Sequence, residues 1–273
     1  MVDSVDTSAV RRSHATVTGA GHGAPAIVFS HGLGADQSTW RLLAPAFEKH
    51  YQVVRFDLVG AGQSDPTAYD YDRHGSLNGH ADDLLDVLRE LDLRDVVFVG
   101  HSVSSMIGVL AAIKEPARFA RLVLLAPSPR FINDNDYCGG FEQADIDELL
   151  ATMENNYHGW AGALAATVLP DQRDLIAELT NSFLSTNPEL ARHFARVTFL
   201  SDHRRDLPLL ATPVLILQGA CDAVVPLTVG SYLHELLPNS QLRIIAASGH
   251  FPQLTAPYET LAAIDAFLPL AVA

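Results

Sequence analysis

The sequence predicts an α/β domain in which helices flank a mostly parallel β-sheet and a block of four helices is inserted near the middle. Three observations lead there. Short apolar, β-branched runs alternate with helical stretches over most of the 273 residues, the rhythm of βαβ units. The rhythm breaks at Pro127-Ser128-Pro129, and residues 130–200 carry helical patterns with no clear strand. It resumes at Pro213. The expected organisation is a first core part (1–127), a helical lid (128–200) and a second core part (201–273).

Residues 1 to about 22 read as a loose arm leading into a strand near 15–18. Ala26-Ile27-Val28-Phe29-Ser30 is a strand, followed by a helix at about 38–47 and a strand at 52–57. The glycines of Leu58-Val59-Gly60-Ala61-Gly62 permit a tight crossover, and the loop lacks the lysine of a phosphate-binding loop. Residues 77–91 form a helix with Leu84, Leu85, Leu88 and Leu91 on an apolar face and Asp82, Asp83, Asp86 and Arg89 toward water. Strands at 96–99 and 120–126 enclose a helix at 103–113. Four helices follow, at about 143–155, 157–168, 173–185 and 188–199, placed to cover one sheet edge. Strands at 213–219 and 242–245 and a helix at 258–267 complete the chain.

The chemistry centres on Ser102. Val96-Val97-Phe98-Val99 is a buried strand, Gly100-His101-Ser102 turns sharply, and a helix starts at Val103. A serine at the apex of a strand–turn–helix is a nucleophile elbow, held beside a helix N-terminus whose N–H groups stabilise a developing oxyanion. The usual pattern is G-x-S-x-G; Ser104 stands at the last glycine, still small enough for close packing. Taken alone, Ser102 reads equally well as a helix N-cap. Its partners decide. Asp222 follows the strand 213–219 and His250 follows the strand 242–245, so Ser, Asp and His occur in the order this arrangement requires. In a parallel sheet the strand ends share one edge, which lets the three converge. His250 would take the serine proton and return it to the leaving group, and Asp222 would hold the imidazole tautomer. His31-Gly32-Leu33-Gly34 follows the strand 26–30, so the backbone N–H groups of Leu33 and Val103 are the expected oxyanion donors, with His31 structural. Among the aromatic residues of the lid, most pack onto the core; Phe131, Trp160 and Phe199 are the expected substrate-pocket residues.

The formal net charge of −14 argues against nucleic acid and anionic membranes as partners. No apolar run approaches a membrane span, and residues 1–13 lack the apolar core of a secretory signal. Cys138 and Cys221 make no metal or disulfide pattern, which fits a reduced, cytoplasmic setting. His14, His22, His74, His80, His158, His193, His203 and His234 are scattered without ligand spacing and read as solvated or locally hydrogen-bonded, so no metal is expected.

These motifs resemble those of the α/β-hydrolase superfamily, and in particular the group holding the bacterial RsbQ-type stress regulators and the plant strigolactone and karrikin receptors. The resemblance runs from His31-Gly32-Leu33-Gly34-Ala35-Asp36-Gln37-Ser38 through Gly100-His101-Ser102-Val103-Ser104 to Gly249-His250. It extends through the lid at Ser128-Pro129-Arg130-Phe131-Ile132-Asn133-Asp134, Gly159-Trp160-Ala161 and Ser201-Asp202-His203-Arg204. Leu33 stands where this group usually has phenylalanine, and Gln253 where relatives often carry histidine. The resemblance implies a V-shaped four-helix lid and a slow serine hydrolase that doubles as a ligand sensor. The expected activity is hydrolysis of a small hydrophobic ester or lactone without a cofactor. The alternative is a signalling hydrolase that senses or produces a ligand for a protein partner.

Overall fold

The computed structural model describes residues 8–268. Among the described residues, seven strands form one sheet: β1 (Thr16–Gly19), β2 (Ala26–Ser30), β3 (Gln52–Phe56), β4 (Val96–His101), β5 (Phe119–Leu125), β6 (Val214–Cys221) and β7 (Ser240–Ser248). Their order is β1-β3-β2-β4-β5-β6-β7, antiparallel only at β1–β3. β2 and β4 are buried along their whole length. Consecutive residues alternate between two cores: Val28 and Phe98 join one, while Ile27, Phe29, Val97 and Val99 join the other. Helices cover both faces, so each side of these strands must be apolar, which is why they read as continuous hydrophobic runs.

The helices are α1 (Ala9–Arg12), α2 (Leu77–Glu90), α3 (Val103–Lys114), α4 (Gln143–Asn155), α5 (Tyr157–Val168), α6 (Arg173–Ser185), α7 (Pro188–Phe199), α8 (Leu227–Leu236), α9 (Pro252–Thr255) and α10 (Pro257–Phe267). Leu84, Leu85 and Leu88 of α2 and Met106, Ile107 and Leu110 of α3 fill one core; Ile264 and Phe267 of α10 fill the other. Helices α4–α7 lie between β5 and β6. Among the described residues, no helix is long and apolar enough to cross a membrane.

Three expectations need correction. Residues 38–47 are not one helix but two 3₁₀ turns, Gln37–Trp40 and Ala44–Ala46. Pro45 has no N–H to continue a helix, yet Trp40, Leu43 and Phe47 still reach the core. The expected loose arm is tied down from Ser8 onward; residues 1–7 of it lie outside the described residues. The backbone N–H of Ala9 donates to the Glu90 carboxylate at 2.6 Å, and that of Asp57 to the Ser13 carbonyl at 2.8 Å. These are contacts across the chain that no local pattern encodes.

The third concerns α2. Asp83 does not face water: it is 4% exposed. Its Oδ2 lies 2.8 Å from His74 Nε2, and its Oδ1 takes Arg73 Nη2 at 2.7 Å and Arg12 Nη2 at 3.4 Å. Burial alone would raise the Asp83 pKa; the hydrogen bond and charge of His74 and the charge of Arg73 outweigh it and hold the carboxyl below its ordinary value. A depressed folded-state pKa adds stability above the unfolded value and loses it as pH falls through the folded one. Asp83→Asn is therefore expected to cost about 3 kcal/mol at neutral pH. Urea titrations of both proteins should show that gap narrowing only as pH drops below the ordinary 3.8 of aspartate. A gap independent of pH would remove the ionic account.

Candidate active site

β4 ends at His101, and Ser102 turns the chain into α3 with φ 54° and ψ −121°. A non-glycine residue at positive φ is strained, and the surroundings must hold it. The Ser102 N–H donates to the Leu125 carbonyl of β5 at 2.8 Å. Gly100 gives α3 room: a Cβ there would lie 2.6 Å from the Ser104 carbonyl oxygen. Ser104, the departure from the glycine pattern, has a task of its own. Its hydroxyl donates to the His31 carbonyl and lies 2.9 Å from Ser30 Oγ, tying α3 to the end of β2.

The structure brings Ser102, His250 and Asp222 together. His250 Nε2 lies 2.8 Å from Ser102 Oγ, and His250 Nδ1 lies 2.8 Å from Asp222 Oδ2. The Asp222 side chain is 1% exposed, and its Oδ1 accepts the N–H groups of Val224 at 2.8 Å and Val225 at 3.1 Å. The His250 loop is held from two sides. Its own N–H donates to the Val168 carbonyl at the end of α5, and Gly249 N–H to the Cys221 carbonyl of β6. The third anchor is His101. Burial holds its pKa well below the ordinary value, so it is neutral, and its Nε2–H donates to the His250 carbonyl at 2.7 Å.

Leu33 lines the same cavity as Ser102, and Val103 directly follows the serine. A Cβ on Gly32 would lie 3.2 Å from Ser102 Cβ and 2.7 Å from His101 Nδ1, so the loop before Leu33 reaches the serine only as glycine. Val103 is the first residue of α3, where an N–H has no intrahelical partner. Among the described residues, neither the Leu33 nor the Val103 N–H donates to a backbone acceptor outside helices and strands. His31 is fully engaged: its Nδ1 lies 2.9 Å from the Gly32 carbonyl, and its Nε2 accepts the Leu58 N–H at 3.0 Å.

Ser102 and His250 open onto a narrow, mostly apolar cavity of about 40 Å³. Phe131 and Phe199 line it, their rings 5.2 Å apart and edge to face. Trp160 is not among the lining residues. Its indole stacks on Tyr157 at 5.9 Å and meets Phe183 edge-on at 5.1 Å, and Phe183 takes the place facing the cavity. Sequence reasoning missed Phe183 together with Leu164, Val168, Leu179, Thr198 and Val224. The signal available was the i, i+4 pairing of Leu164 with Val168 and of Leu179 with Phe183. That pairing marks a buried face without saying what it faces.

The two aromatic substitutions are thus expected to diverge. Phe131→Ala should shift preference toward longer acyl chains by about tenfold in kcat/KM. Trp160→Ala should cost about 3 kcal/mol of stability and leave chain-length preference nearly unchanged. An acyl-length series combined with urea unfolding checks both, and the reverse pattern would put Trp160 back in the pocket.

Outside this site, the ligand atoms of His74, His80 and Asp83 lie within 4.8 Å of one another. Neither solvation nor local hydrogen bonding describes His80, which is fully buried with both ring nitrogens unpartnered. Burial pushes its pKa down to about 3. Arg73 and Arg12 already neutralise Asp83, so the cluster offers a cation little net negative charge.

The profile of the Alpha/beta hydrolase family matches residues 27–264. A rice (Oryza sativa subsp. japonica) protein named as a probable esterase is 42% identical over 234 residues, 85% of this chain and 86% of its own length. Karrikin insensitive 2 receptor IA of Petunia hybrida is 40% identical over 249 residues, 90% of this chain and 91% of its own. The solved structure of a hydrolase from Oleispira antarctica superposes with a TM-score of 0.92 at 40% identity, covering 95% of both chains. Sheet order, elbow and near full-length similarity agree, and this chain belongs to the alpha/beta hydrolase family.

Proposed function

We propose that the protein is a serine hydrolase that cleaves a small apolar carboxylic ester or lactone through an acyl-enzyme. The observation that carries this reading is the unbroken hydrogen-bond chain from Asp222 through His250 to Ser102 at the wall of an apolar cavity. His250 Nε2 takes the Ser102 proton as Oγ attacks the substrate carbonyl carbon. The resulting oxyanion is met by the N–H groups of Leu33 and Val103. Asp222 holds the His250 Nδ1–H and stabilises the imidazolium. His250 then protonates the departing alkoxide, leaving Ser102 acylated. Water, deprotonated by His250, attacks the acyl carbon, and His250 returns that proton to Ser102 Oγ as the acid leaves. Every proton passes through His250, so the cycle calls for no cofactor. Residues 128–200 serve as a lid that keeps the site apolar, over a core formed by the described residues of the first part (8–127) and the second (201–268).

A second reading keeps the same chemistry and gives it a signalling purpose, with a protein partner. The 40% identity to a petunia protein named as a receptor supports it. Hydrolysis of a short activated aryl ester, followed over many turnovers, separates the two. Sustained turnover supports the enzyme; one burst followed by very slow release supports the sensor.

A further inference from the structure

Thr198 is the one polar side chain that the helical insertion contributes to the cavity wall; its other contributions there, such as Leu164, Leu179 and Phe183, are apolar. It lies at the end of α7, is 2% exposed, and its Oγ1 has no hydrogen-bond partner among the described residues. That is anomalous for a helical threonine, whose hydroxyl ordinarily bonds a carbonyl one turn back. Three threonines on other helices show the ordinary behaviour. Thr167 donates to the Ala163 carbonyl at 3.0 Å, Thr180 to the Ile176 carbonyl at 2.7 Å and Thr260 to the Ala256 carbonyl at 2.8 Å. Thr198 forgoes that bond inside an apolar wall, where leaving a hydroxyl unsatisfied is costly.

We propose that Thr198 is a specificity residue whose hydroxyl donates to an oxygen of the substrate other than the ester group under attack. The ligand class is then narrower than an apolar ester. It is a small ester or lactone whose body carries one further acceptor, an ether or carbonyl oxygen. This rests on the hydrolase reading for its substrate, though not for the site itself. A threonine hydroxyl in an otherwise apolar wall discriminates strongly, because a ligand lacking the oxygen leaves it unpaired.

The test uses three isosteric 4-nitrophenyl esters: pentanoate, ethoxyacetate and 3-methoxypropanoate. The readout is the kcat/KM ratio of each ether ester to pentanoate, in wild type, Thr198→Val and Thr198→Ser. Comparing that ratio between proteins cancels the intrinsic reactivity of each ester. For at least one oxygen position, Thr198→Val should lower the ratio about tenfold and Thr198→Ser should keep it. Ratios unchanged in Thr198→Val at both positions overturn the proposal. Thermal unfolding gives an independent check. Valine removes an unpaired buried hydroxyl at nearly constant volume, so the free protein should melt higher. A lower Tm would mean that the hydroxyl serves the protein itself and would also overturn the proposal. If wild type hydrolyses none of the esters, the hydrolase reading fails alone. Thr198 is then judged by the same ratio taken in affinities, from titrations of Ser102→Ala with and without Thr198→Val.

Discussion

Ser102→Ala is expected to abolish ester turnover, lowering kcat by on the order of a million-fold while the fold stays intact. The size follows from the geometry. In the proposed mechanism Ser102 Oγ, 2.8 Å from His250 Nε2, is the nucleophile, and alanine would leave the base with nothing to deprotonate but water. The fold should not change, because what holds the elbow is independent of the hydroxyl. The Ser102 N–H bond to Leu125, the close fit at Gly100 and the Ser104 bonds to β2 all remain. Thermal unfolding within about 1 kcal/mol of wild type, with no release of nitrophenol above background, is the expected pair of results. Native-rate hydrolysis by the alanine variant would sink the mechanism.

Asp222→Asn should lower kcat by about ten-thousand-fold, through a change of tautomer and not of structure. Asp222 uses both oxygens: Oδ1 for the Val224 and Val225 N–H groups, Oδ2 for His250 Nδ1–H. Asparagine has one oxygen. If it keeps the two backbone donors, its NH₂ faces Nδ1, which must then accept. The proton moves to Nε2, and the lone pair that Ser102 needs is gone. Because the side chain is 1% exposed, water has no room to rescue the arrangement. The check is a full kcat and KM determination beside imidazole NMR of the free variant. A loss of kcat with nearly unchanged KM and an Nε2-protonated ring is the expected outcome. Wild-type kcat would show that Asp222 does not orient His250.

The contrast between these residues and the pocket shows how legibility was distributed. The meeting of Ser102, Asp222 and His250 was legible because its signals are local: a serine at a strand–turn–helix apex, then an acid and a histidine just past strand ends, in a fixed order. Helices α4–α7 were legible from their local apolar patterns, and some also carry a capping side chain, such as Asn156 before α5 and Asn187, followed by Pro188, at the start of α7. Trp160 and Phe183 were not. Both are large aromatic residues on buried helix faces, and periodicity cannot say which of two touching rings fronts the cavity. Asp83 failed for a related reason: it lies on the α2 face that Arg12, Arg73 and His74 happen to cover, from segments distant in sequence or outside the helix.

By itself, then, the sequence determined the sheet-and-insertion architecture and the identity and order of the three residues that meet at the elbow. Both are written in hydrophobic period, turn chemistry and spacing, all of which act over a few residues. Tertiary structure alone decided the 2.8 Å contacts, which rings wall the cavity, and that Thr198, in that wall, keeps a buried hydroxyl without a partner while Thr167, Thr180 and Thr260 bond their own backbone. Those outcomes depend on how α5, α6 and α7 pack against one another and against the strand ends. Packing of that kind is a property of shapes brought together from across the chain.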